Sequence, residues 1–128
     1  MAVAEIRACL PTVVAIYRFG STAAGVTTSA SDIDLAVLSA ARLDPVFRFD
    51  LQERLADTLR RSIDLVDLRS TGSVLAIQVV SQGLLLYEAN PDVRGAFEDA
   101  TYSAYARLNE ERRGILERIA AEGTVYGR

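Results

Sequence analysis

"FGSTAAGVTTSASDIDLAVL", residues Phe19 to Leu38, joins a Gly-Ser pair to two aspartates set two apart in an apolar run. Strand interiors disfavour carboxylates, so Asp32 and Asp34 call for a reason. In an extended strand alternate side chains share a face. Asp32 and Asp34 therefore point one way, and Ile33, Leu35 and Val37 the other. Two carboxylates about 7 Å apart along a strand can converge on one or two hard cations. Magnesium suits them, because it takes one or two carboxylates together with phosphate oxygens. Without a cation the pair would repel and raise each other's pKa. Upstream, Gly20-Ser21 closes a second apolar run. A glycine at a strand-to-helix turn allows close approach of a ligand. A helix N-terminus with free N–H groups and a hydroxyl binds phosphate. The stretch thus sets a phosphate cradle and a metal pair on neighbouring elements.

A third carboxylate comes from "SIDLVDL", Ser62 to Leu68. Asp64 and Asp67 are three apart, so in a strand they face opposite sides and one of them can join the pair. Asp64, between Ile63 and Leu65, repeats the Ile33-Asp34-Leu35 environment and is the one assigned to the site. Asp67 is expected to face outward or to cap the strand end.

Around these motifs the chain alternates helical and extended patterns. Residues 2–10 read as a short helix stopped by Pro11, and residues 12–19, β-branched and aromatic, as a first strand. "STAAGVT" predicts a short helix with Ser21 near its start, and residues 32–39 a second strand. Phe47, Leu51, Leu55 and Leu59 recur every four residues, the stripe of an amphipathic helix. Residues 62–69 read as a third strand, 72–82 as a short buried helix stopped by Gly83, and 83–88 as a fourth strand. From Pro91 to about residue 122 a helical period runs through Phe97, Thr101, Leu108, Ile115 and Ile119. Asn90-Pro91 is its start signal and Gly123 its expected stop. A helix of that length is expected to pack partly on the domain and partly on a partner.

The composition narrows the chemistry. With 128 residues the chain has the length of one domain. There is no histidine, so acid–base and metal chemistry fall to carboxylates. Cys9 is the single cysteine, which excludes an internal disulfide, and its apolar neighbours make it a small core residue. The net charge of −3, with arginine as the sole basic residue type, argues against direct nucleic-acid binding. No apolar run approaches the roughly 20 residues of a membrane helix. No signal-peptide pattern opens the chain, and the expected location is the cytoplasm. Arg60-Arg61 and Arg112-Arg113 are expected on solvated helix faces, and Tyr102 and Tyr105 in packing or an interface.

The pattern Gly20-Ser21, ten residues, Asp32-x-Asp34 resembles the signature of the nucleotidyltransferase superfamily that includes DNA polymerase beta. "FGSTAAG", "SDIDLAVL", "IDLVDL" and "VSQGLLLYE", in so short a chain, resemble the minimal nucleotidyltransferases, the MntA-type antitoxins paired with HEPN-domain (HepT-like) toxins. The motifs cover roughly residues 12–89. The resemblance implies an α/β (α+β) nucleotidyltransferase fold. A mixed sheet of about four strands would be flanked by helices, with ATP and two magnesium ions at the sheet end. Residues 1–128 would form one domain, with its core at about 12–89 and a C-terminal helix at about 91–122. It implies that Gly20 and Ser21 hold the triphosphate and that Asp32 and Asp34 ligate both metals. Asp64 would ligate the catalytic metal and help deprotonate the attacking hydroxyl. The implied activity is transfer of AMP from ATP to a tyrosine of a HEPN ribonuclease toxin, in a type VII-like pair and a hetero-oligomer with that toxin. One position departs: family members often carry arginine where this chain has Ala24. Arg18, Arg69 or an arginine of the partner are the candidates to replace it.

Two other functions share this sequence pattern. One is a small-molecule nucleotidyltransferase of the aminoglycoside type, with the same aspartates but usually an added helical domain for the acceptor. The other is an antitoxin that neutralises by contact alone, which the missing arginine suggests.

Overall fold

The computed structural model of the chain describes residues 1–20 and 32–126. In chain order the elements are α1 (Ala2–Cys9), β1 (Val13–Phe19), β2 (Ile33–Ser39), α2 (Pro45–Leu59), β3 (Ile63–Asp67), α3 (Ser73–Gln82), β4 (Leu84–Glu88) and α4 (Pro91–Tyr126). The short helix expected at residues 21–27 lies outside the described residues. The strands form one four-stranded sheet in the order β3-β2-β1-β4. β1 runs antiparallel to β2 and to β4, while β2 and β3 are parallel. The sheet is therefore mixed, as the resemblance implied. A parallel pair cannot be closed by a tight turn, and α2 makes the crossover.

Helices cover both faces of the sheet. On one face Ile6 of α1 and Leu51 and Leu55 of α2 bury against Ile16, Leu35, Val37 and Leu65. On the other, Val79 of α3, with Val93 and Phe97 of α4, packs on Tyr17, Phe19, Ala36, Leu38 and Leu68. Burial of each large aliphatic side chain contributes about 1.5–3 kcal/mol. β2 is buried on both sides from Leu35 onward, which is why it reads as a nearly continuous apolar run. The carboxylates occupy its open start.

Element ends follow local chemistry. α2 begins at Pro45, two residues before the expected start, because the Asp44 carboxylate accepts the N–H groups of Val46 and Phe47, each at 3.1 Å. It ends at Leu59, with Arg60 in the left-handed region at φ 53°. Arg60 thus lies past the helix, and Arg61 is half-buried, against the expected solvated pair. Gly83 does stop α3, but in extended backbone at φ −74°. Space selects it: a Cβ there would meet the Val79 carbonyl oxygen at 2.5 Å and that of Arg18 at 3.2 Å.

α4 is 36 residues long, about 54 Å at the usual helical rise. Asn90 caps its start through its side-chain oxygen and the Val93 N–H at 3.1 Å. Gly123 does not end it; the helix continues to Tyr126. Its first turns are tied to the sheet by a polar network. The Tyr17 hydroxyl donates to Glu98 Oε2 at 2.6 Å, and Arg94 Nη1 donates to the same oxygen at 2.7 Å. Arg94 Nε pairs with Glu88 of β4. Tyr17 is buried, and burial together with Glu98 pushes its phenol well above the ordinary value of 10.0. Farther along, Ile115, Leu116 and Ile119 are 47%, 58% and 52% exposed. Among the described residues no helix is long and apolar enough to cross a membrane.

Candidate active site

The register of the parallel pair assembles the site. Ile33, Asp34 and Leu35 of β2 lie directly beside Ile63, Asp64 and Leu65 of β3. The repeated apolar-Asp-apolar triplet is thus a spatial repeat, and the two carboxylates share the sheet face that Ala36, Leu38 and Leu68 continue. Asp34 is half-buried and Asp64 is exposed. Asp32 lies just before β2, exposed, at the mouth of the same edge.

On its other side Asp34 pairs with Phe19, the last residue of β1. Gly20 follows with φ +79°, a conformation that L side chains avoid. A Cβ built on Gly20 would collide with Asp34 Oδ2 and stand 3.2 Å from its Cγ. Gly20 therefore serves two ends. It turns the chain out of β1, and it leaves the volume that the Asp34 carboxylate fills. Sequence reading assigned it to phosphate approach and had no signal for the contact with Asp34. Ser21 and Ala24 lie outside the described residues.

The electrostatics follow from this packing. The Asp34 carboxyl is held above its ordinary pKa, first by burial, then by the negative charge of Asp64, then by that of Asp32. A cation beside Asp34 would reverse the sign of that balance. Among the described residues no group of three or more histidine, cysteine, aspartate or glutamate side chains is gathered closely enough to hold a metal alone. Asp34 and Asp64 are brought together, and Asp32 stands at their edge. This open arrangement fits magnesium, which keeps waters and phosphate oxygens in its shell and needs few protein carboxylates.

The remaining candidates fall elsewhere. Asp67 does not face outward: it is 3% exposed, on the opposite face from Asp64. It caps the strand end, accepting from the Leu43 N–H at 2.8 Å, the Arg69 N–H at 3.1 Å and the Ser70 hydroxyl at 2.7 Å. Arg69 cannot replace an arginine near Gly20. It lies in the turn after the far end of β3, where Asp67 already stands roughly 10 Å from Asp64 at strand rise. There its Nε donates to the Ser39 carbonyl at 2.6 Å and its guanidinium lies 5.7 Å from the Phe97 ring centre. That far end carries a cleft of about 530 Å³ between α3 and α4, lined by Arg42, Arg69, Phe97 and Thr101 and remote from the aspartates. Arg18 pairs with Leu35, so it shares the face opposite Asp34. Cys9 is half-buried against the core, with Arg54 Nη1 3.3 Å from its sulfur.

Comparison with known proteins agrees with this fold. The family model described as polymerase beta, nucleotidyltransferase, matches residues 3–92. Protein adenylyltransferase MntA of Shewanella oneidensis MR-1 is 41% identical over 116 residues, covering 91% of this chain and 83% of that protein. A crystal structure of a toxin-antitoxin with AMP-PNP superposes with a TM-score of 0.82 at 40% identity, covering 92% of this chain and 94% of the other. The structure of tri-AMPylated Shewanella oneidensis HEPN toxin in complex with MNT antitoxin matches with a TM-score of 0.74 at 39% identity, covering 92% of each chain. With the turn at Gly20, the paired aspartates and the mixed sheet in place, the chain belongs to the polymerase beta nucleotidyltransferase family, in the group of the protein adenylyltransferase MntA.

Proposed function

We propose that this chain is the antitoxin of a HEPN/MNT pair and transfers AMP from ATP to a tyrosine of its cognate HEPN toxin. The observation that carries the reading is the in-register placement of Asp34 beside Asp64. It occurs in a chain 41% identical to a protein adenylyltransferase over 91% of its length. Solved toxin-antitoxin complexes at 40% and 39% identity, one with AMP-PNP and one with a tri-AMPylated HEPN toxin, support ATP as donor and a HEPN protein as acceptor. The exposed Ile115, Leu116 and Ile119 of α4 support a protein partner, since apolar stripes of this kind are commonly covered in complexes.

In this reading Gly20 and Ser21 hold the triphosphate, and Asp32, Asp34 and Asp64 hold magnesium, two ions in the full set. When bound, magnesium neutralises phosphate charge and lowers the pKa of the attacking hydroxyl. Asp64, exposed at the strand edge, receives the phenolic proton. The tyrosine oxygen bonds to the α-phosphorus as the bond to the β-phosphate bridging oxygen breaks, and pyrophosphate leaves with the electron pair. Asp34, fixed between Gly20 and Asp64, sets the position of the triphosphate relative to that proton acceptor. Positioning and charge account for most of the catalysis in such displacements. Residues 1–128 act as one unit here, with the toxin supplying the acceptor.

The test is neutralisation in cells. Co-expression of the chain should relieve growth arrest by its HEPN partner, and Asp32→Asn and Asp34→Asn should fail to do so at equal abundance. Full neutralisation by both variants would replace transfer by simple masking.

A further inference from the structure

β3 is an edge strand, so the backbone that carries Asp64 has a free outer side. Two side chains of α2 close it at one residue. The Leu65 N–H donates to Gln52 Oε1 at 2.9 Å, and Arg48 Nη1 donates to the Leu65 carbonyl at 2.8 Å. Arg48 Nη1 also donates to Gln52 Oε1 at 3.3 Å, which locks the two side chains together. They stand four residues apart and hence on one face of the helix. Arg48, Gln52 and Leu65 thus form a closed ring that reproduces, at a single residue, the pairing a neighbouring strand would supply. Leu65 directly follows Asp64. Because Asp64 is exposed, its carboxylate takes its place from the backbone beneath it, and that backbone is held between β2 and this clamp.

We propose that Arg48 and Gln52 are positioning residues for Asp64: they fix the depth and twist of β3 and so the approach of Asp64 to Asp34. The proposal rests on the reading of Asp64 as a metal ligand. The supporting groups behind metal ligands commonly matter by roughly 10- to 100-fold in affinity or rate. Neither residue touches nucleotide or metal in this account.

The test measures binding of Mn2+ to the full chain in the presence of AMP-PNP, followed by the paramagnetic signal of the free ion. Gln52→Met keeps side-chain length and removes the acceptor, whereas Gln52→Glu keeps the acceptor. The Mn2+ dissociation constant should rise roughly ten-fold in Gln52→Met and stay within about two-fold of wild type in Gln52→Glu. Hydrogen exchange at the Leu65 amide should accelerate in the first variant alone. If Gln52→Met does not fold, Arg48→Met, which removes the bonds to the Leu65 carbonyl and to Gln52 Oε1 but leaves Gln52 to accept the Leu65 N–H, tests the same clamp. Asp64→Asn separates the two levels. Wild-type Mn2+ affinity in Gln52→Met, with loss in Asp64→Asn, overturns the positioning role while keeping the site. Wild-type affinity in Asp64→Asn overturns the ligand reading, and the clamp's role with it.

Discussion

Gly20→Ala is the smallest change that tests the geometry at Asp34. The new methyl group carries two costs. At φ +79° an L residue sits in the left-handed region, at about 1–2 kcal/mol. The methyl group also enters space held by Asp34 Oδ2, with the Asp34 Cγ only 3.2 Å away. Restoring ordinary contact near 3.5–4 Å means moving the carboxylate by about 1 Å. The sheet cannot follow, because Asp34 is paired with Phe19 on one side and Asp64 on the other. The side chain therefore rotates away. A misplacement of about 1 Å in a reacting assembly costs about 100-fold in rate, while stability falls by only about 1–2 kcal/mol. That corresponds to a drop of about 4–8 °C in melting temperature for a domain of this size. The assay pairs pyrophosphate release in the presence of the acceptor with thermal unfolding. Gly114→Ala is the control. A Cβ at Gly114 meets nothing within 4 Å, so the helix gains up to about 1 kcal/mol and the rate is unchanged. A Gly20→Ala protein that turns over within about three-fold of wild type, a difference below 1 kcal/mol, would refute the claim that Gly20 makes room for a functional carboxylate.

Other expectations follow from single contacts. Asp67→Asn should cost about 1–3 kcal/mol in urea unfolding, because the buried carboxylate serves three donors, yet leave AMP transfer per folded molecule intact. Asp64→Asn should do the reverse, losing transfer with little change in the urea midpoint. Asp34→Asn should raise the melting temperature of the metal-free protein at neutral pH, since it removes a half-buried charge repelled by Asp64 and Asp32. Asp34 has a raised pKa, so the wild type carries no such penalty below the ordinary carboxylate value. The advantage of the variant should therefore grow as pH rises through the raised pKa and then level off. With Mg2+-ATP at about 100 times its dissociation constant the wild type should gain about 2.7 kcal/mol and the variant far less. Tyr17 keeps its proton in the fold well above pH 10, so its contribution is complete below pH 10 and is lost as pH rises further. Absorbance titration should leave Tyr17 un-ionised until alkaline unfolding, and Tyr17→Phe should remove that late step.

Much of the fold could be read from the sequence, because the patterns it needs are local. The apolar runs ending in Phe19 and Leu38 and the four-residue stripe of α2 each define an element. The Ile-Asp-Leu triplets announced the pair that the β2–β3 register sets side by side. The remainder depends on contacts between distant segments. Asp67 carries the same apolar flanks as a ligand would, and only the return of Leu43 to its carboxylate reveals a buried cap. The Gly20–Asp34 contact, the Arg48–Gln52 clamp on Leu65 and the Tyr17–Glu98–Arg94 network join residues 13 to 81 positions apart. No spacing rule encodes such pairs. Gly123 misled because a single glycine costs a long helix only about 1 kcal/mol, which neighbouring turns absorb.

The most direct test of transfer is the intact mass of the HEPN partner after incubation with this chain, ATP and magnesium, followed by mapping of the modified peptide. AMP should appear on a partner tyrosine, with no addition when Asp32→Asn or Asp34→Asn replaces the wild type. A partner that is bound and silenced with its mass unchanged would contradict this mechanism, as would equal transfer by Asp34→Asn.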